Sequence, residues 1–129
     1  MWITVNRTQV VVLVVDDDPA IRDMLSDFLG MEGYSVVTAS DGLEGLRAFE
    51  KCTPSIVLLD MRMPNLDGWG FVGKLRERGI KVPILAVTAS RCPERWAEDI
   101  GADGYLAKPF DLTQLLAAIE RISPPSNGS

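Results

Sequence analysis

The sequence contains no histidine, and its two cysteines, Cys52 and Cys92, lie far apart. This residue set does not suit a structural zinc site, and free thiols in a reducing cytoplasm are the simplest interpretation. A basic excess is also missing, because the net charge is −5 and the pI is about 4.6. This balance argues against a nucleic-acid surface, since no surplus cations exist to neutralise phosphates.

Long hydrophobic segments are lacking as well. The run Val10–Val15 is too short to span a bilayer and ends abruptly at Asp16–Asp18. It is not followed by the small-residue cleavage region of a signal peptide. The chain has 129 residues, 47% of them hydrophobic, which suffices for one domain with a real core. We expect a cytoplasmic protein that does not contact the membrane.

Short hydrophobic runs predict the strands. Val10–Val15, Ser55–Leu59 and Ile84–Val87 are rich in β-branched residues and do not alternate with polar residues. Such runs are typical of strands that are covered on both faces. Tyr34–Thr38 and Tyr105–Ala107 are weaker candidates of the same kind.

Helical spacing of apolar residues appears between these runs. Stripes begin at Ile21, Leu43, Phe71 and Leu112, and Pro93 opens a less regular segment. Five alternations of strand and helix predict a doubly wound α/β fold, with a five-stranded parallel sheet and helices on both faces. We assign residues 9–122 to this domain, residues 1–8 to an N-terminal extension and residues 123–129 to a linker-like tail.

Three consecutive acids, Asp16, Asp17 and Asp18, follow the first strand. Adjacent carboxylates repel one another and raise each other's pKa. One acid would be enough to cap a helix, so the presence of three needs another explanation. Asp18 precedes Pro19 and suits the N-cap, with proline at the first helical position. The remaining two acids are most simply explained by a bound cation.

Other polar residues follow the later strands. Asp60 ends the third strand, Thr88 follows the fourth and Lys108 follows the fifth. Each alone would be an ordinary turn or strand residue, but the carboxyl ends of parallel strands share one edge, where ligands bind. A carboxylate can accept a phosphoryl group, and Mg²⁺, an ammonium and a hydroxyl can stabilise that group. The combination therefore points to phosphoryl transfer.

With these motifs, the sequence resembles the receiver domain of bacterial two-component response regulators from about Val10 to Ile122. The motifs that carry the resemblance are VVDDD (14–18), LLDMRMPNLDGW (58–69), AVTAS (86–90) and YLAKPF (105–110). The resemblance implies a flavodoxin-like sheet with the strand order 2-1-3-4-5. It also implies a signalling protein that takes part in its own phosphorylation and dephosphorylation, and not an enzyme.

The resemblance assigns a role to each acid of the site. Asp60 is the expected phosphoacceptor and one ligand of Mg²⁺. Asp17 is expected to bind the ion directly and Asp16 through water, and the backbone carbonyl of Arg62 completes the protein ligands. The Arg62 side chain occupies a position that varies in the family and that tunes the lifetime of the phosphoryl group.

A second set of residues is implied to act as a switch. Thr88 and Lys108 are expected to contact the phosphoryl group, with a cis peptide bond between Lys108 and Pro109. Tyr105 matches an aromatic residue that changes its burial together with Thr88. The face built from the fourth helix, fifth strand and fifth helix is expected to carry the output or a phosphorylation-dependent homodimer. Because the chain has no histidine, the phosphoryl donor is another molecule, a sensor histidine kinase or a histidine phosphotransfer protein.

Three alternatives remain open at this point. A haloacid-dehalogenase-like phosphatase would use Asp16 as nucleophile and Asp18 as acid, but Ala20 is atypical, no acidic pair follows Lys108, and Asp60 would have no role. A flavodoxin-like flavin carrier needs a neutral phosphate loop where this chain has three acids. A receiver-like interaction module that is never phosphorylated would not need the complete set of reactive residues.

Two further residues are unusual for their positions. Gly45 lies inside the second helix, where glycine costs up to about 1 kcal/mol relative to alanine. Trp69 follows Asp67-Gly68 at a position where it suits either a partner contact or the core.

Overall fold

Five strands alternate with five helices over residues 10–122, which are the residues that the computed structural model describes. The strands are β1 (Val11–Val15), β2 (Ser35–Ala39), β3 (Ile56–Asp60), β4 (Ile84–Thr88) and β5 (Gly104–Ala107). The helices are α1 (Pro19–Met31), α2 (Gly42–Lys51), α3 (Gly68–Glu77), α4 (Pro93–Ile100) and α5 (Leu112–Ile122). Within residues 10–122, no helix combines the length and the apolar character needed to cross a membrane.

The strands form one parallel sheet in the order β2-β1-β3-β4-β5. This arrangement confirms the predicted doubly wound α/β fold and the strand order that the resemblance implied. β3 is the central strand, so its carboxyl end has a neighbouring strand on each side. The predicted N-terminal extension (residues 1–8) and linker-like tail (123–129) lie outside the described residues.

Each face of the sheet carries its own hydrophobic core. Alternate residues of a strand point to opposite faces, so Leu13 and Val15 join one core while Val12 and Val14 join the other. The first core includes buried residues of α2, α3 and α4, and the second includes buried residues of α1 and α5. Each fully buried aliphatic side chain contributes roughly 1.5–3 kcal/mol, so both cores hold the sheet rigidly under its carboxyl edge.

An aspartate caps the N-terminus of four of the helices. The Asp18 carboxylate accepts a hydrogen bond of 2.9 Å from the Ala20 amide, and Pro19 is the first residue of α1, as predicted. Asp41, Asp67 and Asp111 likewise accept hydrogen bonds from backbone amides in the first turns of α2, α3 and α5. A carboxylate at this position satisfies backbone donors that have no partner within the helix. Asp18 is therefore engaged in capping, which separates its role from that of Asp16 and Asp17.

β3 and β4, like β2, extend one residue past the carboxyl end of the hydrophobic runs that predicted them. β3 includes Asp60, which is in register with Val87, and β4 includes Thr88, which is in register with Ala107. Backbone pairing defines a strand, whereas hydrophobicity marks only the part that the helices cover. The last paired residues of β3 and β4 are polar because they lie at the open edge of the sheet. Both belong to the predicted site.

Close packing between α2 and α3 explains the glycine inside α2. A Cβ atom on Gly45 would lie 2.9 Å from Cε1 of Phe71 and 3.3 Å from Cγ2 of Val15. The Phe71 ring is fully buried and has little freedom to move away. By contrast, a Cβ atom on Gly73, in α3, would meet no atom within 4 Å.

We expect Gly45→Ala to lower the free energy of unfolding by about 1 kcal/mol. The strain of overpacking, roughly 1–3 kcal/mol, should exceed the gain in helix propensity of up to about 1 kcal/mol. Gly73→Ala is the matched control, and it should raise the free energy of unfolding because only the propensity changes. Urea unfolding with an unchanged m-value measures both effects. Equal stabilisation by the two substitutions would contradict this account of the packing.

Candidate functional site

Three carboxylates meet at the carboxyl edge of the sheet. Asp16 directly follows β1 and is 4% exposed, Asp17 is exposed, and Asp60 ends β3 with a largely buried side chain. One carboxylate oxygen from each residue lies within 4.8 Å of the corresponding oxygens of the other two. Oxygen ligands from carboxylates are those that Mg²⁺ prefers, so the geometry of these three acids fits a divalent cation.

The Asp16 carboxylate is fixed by two donors. The Asp18 amide donates to Oδ1 at 2.9 Å, and the Lys108 ammonium donates to Oδ2 at 3.2 Å. The Arg22 guanidinium donates to the backbone carbonyl of Asp16 at 2.8 Å. A buried charge needs such partners, and they set the orientation of this carboxylate before any ion binds.

Lys108 links two of the acids across the site. Its Nζ atom lies 3.2 Å from a carboxylate oxygen of Asp16 and 3.7 Å from one of Asp60. The Lys108 amide donates to the Thr88 carbonyl at 2.8 Å, and the peptide bond to Pro109 is cis, as the resemblance implied. One ammonium, paired with two of them, therefore accompanies three clustered carboxylates, which leaves a local excess of negative charge.

The electrostatics of Asp60 reflect this excess. Burial and the negative charges of Asp16 and Asp17 raise the pKa of Asp60 from 3.8 to about 6, although Lys108 and the backbone N–H of Arg62 act in the opposite direction. Burial is the largest of these effects. At neutral pH the carboxylate is still mainly ionised, but it is held in an unfavourable environment that added positive charge would relieve.

Thr88 lies beside Asp60, at the end of the adjacent strand, and is 3% exposed. Its Oγ1 atom accepts a hydrogen bond of 3.1 Å from the Ser90 amide, which leaves the hydroxyl proton available to an acceptor in the site. Tyr105 is elsewhere: it is in register with Ala86 on β5, and 43% of it is exposed. The structure thus brings five predicted residues together (Asp16, Asp17, Asp60, Thr88 and Lys108) and leaves Tyr105 outside the cluster.

An open groove of about 450 Å³ leads to Asp60. Four of its lining residues were not predicted from the sequence: Ala89, Ser90, Arg91 and Trp96. The groove also includes Arg62, whose guanidinium carbon lies 5.1 Å from the centroid of the Trp96 ring. Trp96 escaped prediction because α4 has the least regular apolar pattern. In the structure Ala97 and Ile100 form the buried face of α4, and these two apolar residues are too few to reveal that face from the sequence.

Trp69 belongs to the same corner of the molecule. Its ring centroid lies 4.8 Å from that of Trp96, at an interplanar angle of 63°, an edge-to-face contact. Trp69 is partly buried against the core formed with α2, α3 and α4. The packing therefore supports the core interpretation of this residue.

The fold and site define a class: a flavodoxin-like α/β domain with an acidic cluster at the carboxyl edge of its sheet. Residues 12–120 match the family model described as the response regulator receiver domain. The chain belongs to this family. Membership confirms the family resemblance, and the matched residues contain all four motifs that carried it. It argues against the phosphatase and flavin-carrier alternatives.

Curated relatives agree with this assignment. The chain is 46% identical over 122 residues to the response regulator MprA of Mycobacterium sp. (strain KMS), an alignment that covers 91% of this chain and 53% of that protein. It is 44% identical over 113 residues to a probable transcriptional regulator, ycf27, of Pyropia yezoensis, with coverage of 86% and 46%. The chain thus spans about half the length of the curated relatives it matches.

Solved structures have the same architecture. The chemotaxis protein CheY4 of Vibrio cholerae superimposes with a TM-score of 0.82 at 36% identity, covering 88% of this chain and 98% of that one. The response regulator TrrA of Thermotoga maritima, solved in complex with Mg²⁺–BeF, gives a TM-score of 0.77 at 32% identity, with coverage of 87% and 97%.

The raised pKa of Asp60 predicts a pH dependence of stability in Mg²⁺-free buffer. The native state binds this proton more tightly than the unfolded state, so the free energy of unfolding should fall as pH rises from about 4 to beyond 6. Asp60→Asn should remove this loss and be more stable than the wild type at pH 7, by on the order of 1 kcal/mol, and about equally stable at pH 4. Urea unfolding across this pH range tests the difference.

Asp27→Asn, on the exposed side of α1, is the control and should follow the wild type at both pH values. A gap between Asp60→Asn and the wild type that is as large at pH 4 as at pH 7 would show that ionisation of Asp60 is not the cause.

Proposed function

We propose that this receiver domain accepts a phosphoryl group on Asp60 in a two-component signalling pathway. The observation that carries the proposal is the convergence of Asp16, Asp17 and Lys108 on Asp60 at the end of the central strand. A nucleophilic carboxylate with positive charge beside it and a site for a divalent cation is the arrangement that phosphoryl transfer requires.

Asp60 acts as the nucleophile in this proposal. Its pKa of about 6 leaves the carboxylate mainly ionised at neutral pH. One carboxylate oxygen attacks the phosphorus of the donor, and the bond from phosphorus to the donor's leaving group breaks as that group departs with its electron pair. The product is an aspartyl phosphate. Lys108, 3.7 Å from the Asp60 carboxylate, stabilises the charge on the transferred group.

Mg²⁺ is the cofactor that the acid cluster suits. Asp16, Asp17 and Asp60 would hold it, with Asp16 acting through water and the backbone carbonyl of Arg62 as a further ligand. The bound ion supplies positive charge next to the oxygens of the phosphoryl group. Asp16 is held in place by its own hydrogen bonds, so this ligand needs little rearrangement.

Thr88 and Lys108 turn the chemical event into a conformational one. A phosphoryl group biases a two-state element only through contacts that differ between its states. The Thr88 hydroxyl is the contact that can change, because it can leave the Ser90 amide and donate to a phosphoryl oxygen. That movement would vacate space for Tyr105, which lies partly exposed on β5. The face of α4, β5 and α5 then carries the output.

The proposed donor is a sensor histidine kinase or a histidine phosphotransfer protein, since the chain has no histidine of its own. Both donor classes act in the cytoplasm, where we expect this protein to function. The output partner is a further domain, another protein or a second copy of the chain that docks on the face of α4, β5 and α5. Named relatives such as MprA are about twice as long, which is consistent with an output domain in those proteins.

Treatment with a small acyl phosphate donor and Mg²⁺ should place one acid-labile phosphoryl group on the wild type and none on Asp60→Asn. Thr88→Ala and Lys108→Ala should still be phosphorylated, Lys108→Ala on the order of tenfold more slowly because one charged contact is lost. In both, the NMR signals of Tyr105 should barely change. Intact mass measures phosphorylation, and NMR of the same samples follows Tyr105.

Thr88→Ser keeps the hydroxyl and should keep the response of Tyr105. Equal phosphorylation of the wild type and Asp60→Asn would refute the assignment of the acceptor. No phosphorylation of either protein by any donor would favour the interaction-module alternative. A full Tyr105 response in phosphorylated Lys108→Ala would remove Lys108 from the switch.

A further inference from the structure

Three side chains form a chain of contacts beside Asp60, and two of them, Arg62 and Trp96, line its groove. The Arg62 guanidinium lies over the Trp96 ring, and Trp96 meets the edge of Trp69. Arg62 comes from the loop after β3, Trp69 from the start of α3 and Trp96 from α4. The stack, defined here as Arg62, Trp96 and Trp69, therefore joins three separate elements beside the predicted phosphoacceptor.

Arg62 is a cation that has no acidic partner in the described part of the chain. Among residues 10–122 its guanidinium pairs with no carboxylate, and its contact is the π face of Trp96 at 5.1 Å. It nevertheless lines the same groove as Asp60, Thr88 and Lys108. A guanidinium offers several donors in a planar fork that matches phosphate oxygens. A phosphoryl group on Asp60 would thus form within the groove that this free cation lines.

We propose that the Arg62 side chain binds the phosphoryl group on Asp60 and leaves Trp96 when it does so. This inference rests on the proposed phosphorylation of Asp60. Before modification, Trp96 holds Arg62 on the α4 side of the groove. After modification, Arg62 turns to the phosphoryl oxygens, and the stack loses the member that connects α4 to the loop after β3. Phosphorylation then reaches α4 by a route that does not pass through Thr88 and Tyr105.

The strengths of the two contacts give the direction of the exchange. An exposed cation–π contact is among the weaker charged interactions, whereas hydrogen bonds from a guanidinium to a phosphate dianion are charge-assisted and often bidentate. Arg62 is exposed, so solvent weakens its contact with Trp96 and the Arg62 side chain can rotate away. In the unmodified site Lys108 already pairs with Asp16 and Asp60, whereas a phosphoryl group on Asp60 would add further negative charge to the groove that Arg62 lines.

Competition between Trp96 and the phosphoryl group predicts opposite effects for two substitutions. Arg62→Gln removes a ligand of the phosphoryl group and should weaken the affinity for beryllofluoride, a phosphoryl mimic, about tenfold in the presence of Mg²⁺. Trp96→Leu removes the competing partner and should strengthen that affinity about threefold. A residue with a merely structural role would weaken binding when removed, not strengthen it.

The matched controls are Arg91→Gln and Trp96→Phe. Arg91 lines the same groove and is exposed, so its substitution tests the loss of a nearby charge alone and should change the affinity by less than about twofold. Trp96→Phe keeps an aromatic face, so its affinity for beryllofluoride should lie between those of the wild type and Trp96→Leu. This variant also controls for a folding defect in Trp96→Leu.

The indole NMR signals report the exchange directly. All proteins carry Trp2→Phe, so that only Trp69 and Trp96 are observed. In the wild-type background, beryllofluoride with Mg²⁺ should shift the Trp96 signal. In Arg62→Gln that signal should already lie near its shifted position, and the mimic should move it little.

The outcomes separate the inference from the proposed function. If the wild type binds no beryllofluoride, the proposed function fails and the inference fails with it. If Arg62→Gln binds the mimic as tightly as the wild type, or its Trp96 signal responds as in the wild type, the inference alone is overturned. A weaker affinity for Trp96→Leu together with wild-type affinity for Trp96→Phe would also overturn it.

Discussion

Repulsion among three carboxylates is the constraint on which the site depends. One carboxylate oxygen from each of Asp16, Asp17 and Asp60 lies within 4.8 Å of the other two. Among residues 10–122, Lys108 is the one cation that pairs with any of these carboxylates. Such a cluster would spread apart on a flexible chain. Here the backbone of a parallel sheet, with a hydrophobic core on each face, fixes the positions of the acids. The folded state therefore holds unfavourable charge that a bound cation would relieve.

The strand order makes this convergence possible. β1 and β3 are neighbours, so the acids after β1 lie next to the acid that ends β3. β4 and β5 follow on the other side of β3 and bring Thr88 and then Lys108 toward the same point. The strand that brings the other acids thus lies on one side of β3, and the strands that bring the hydroxyl and the ammonium lie on the other. A group bound to Asp60 would have residues of neighbouring strands on both sides.

Much of this arrangement could be predicted from the sequence, because it depends on where strands end. Buried strands read as apolar runs, and the first polar residue after each run lies at the shared edge, which located Asp60, Thr88 and Lys108. Periodicity alone does not give the order of the strands, which came from the family resemblance. The contact of Arg62 with Trp96 could not be predicted from the sequence, because it depends on how α4 packs against α3. For the same reason, the need for glycine at position 45 became clear only from its distance to Phe71.

The central claim is that the acid cluster is a site for a divalent cation that prepares Asp60. Its most direct test is titration calorimetry of Mg²⁺ binding to three proteins. The wild type should bind one ion and gain thermal stability from it by mass action. Asp17→Asn should lose most of this affinity, because it removes a ligand. Asp18→Asn should bind like the wild type, because Asp18 caps α1 and asparagine preserves the cap. Binding of Mg²⁺ by Asp17→Asn as tightly as by the wild type would contradict the account.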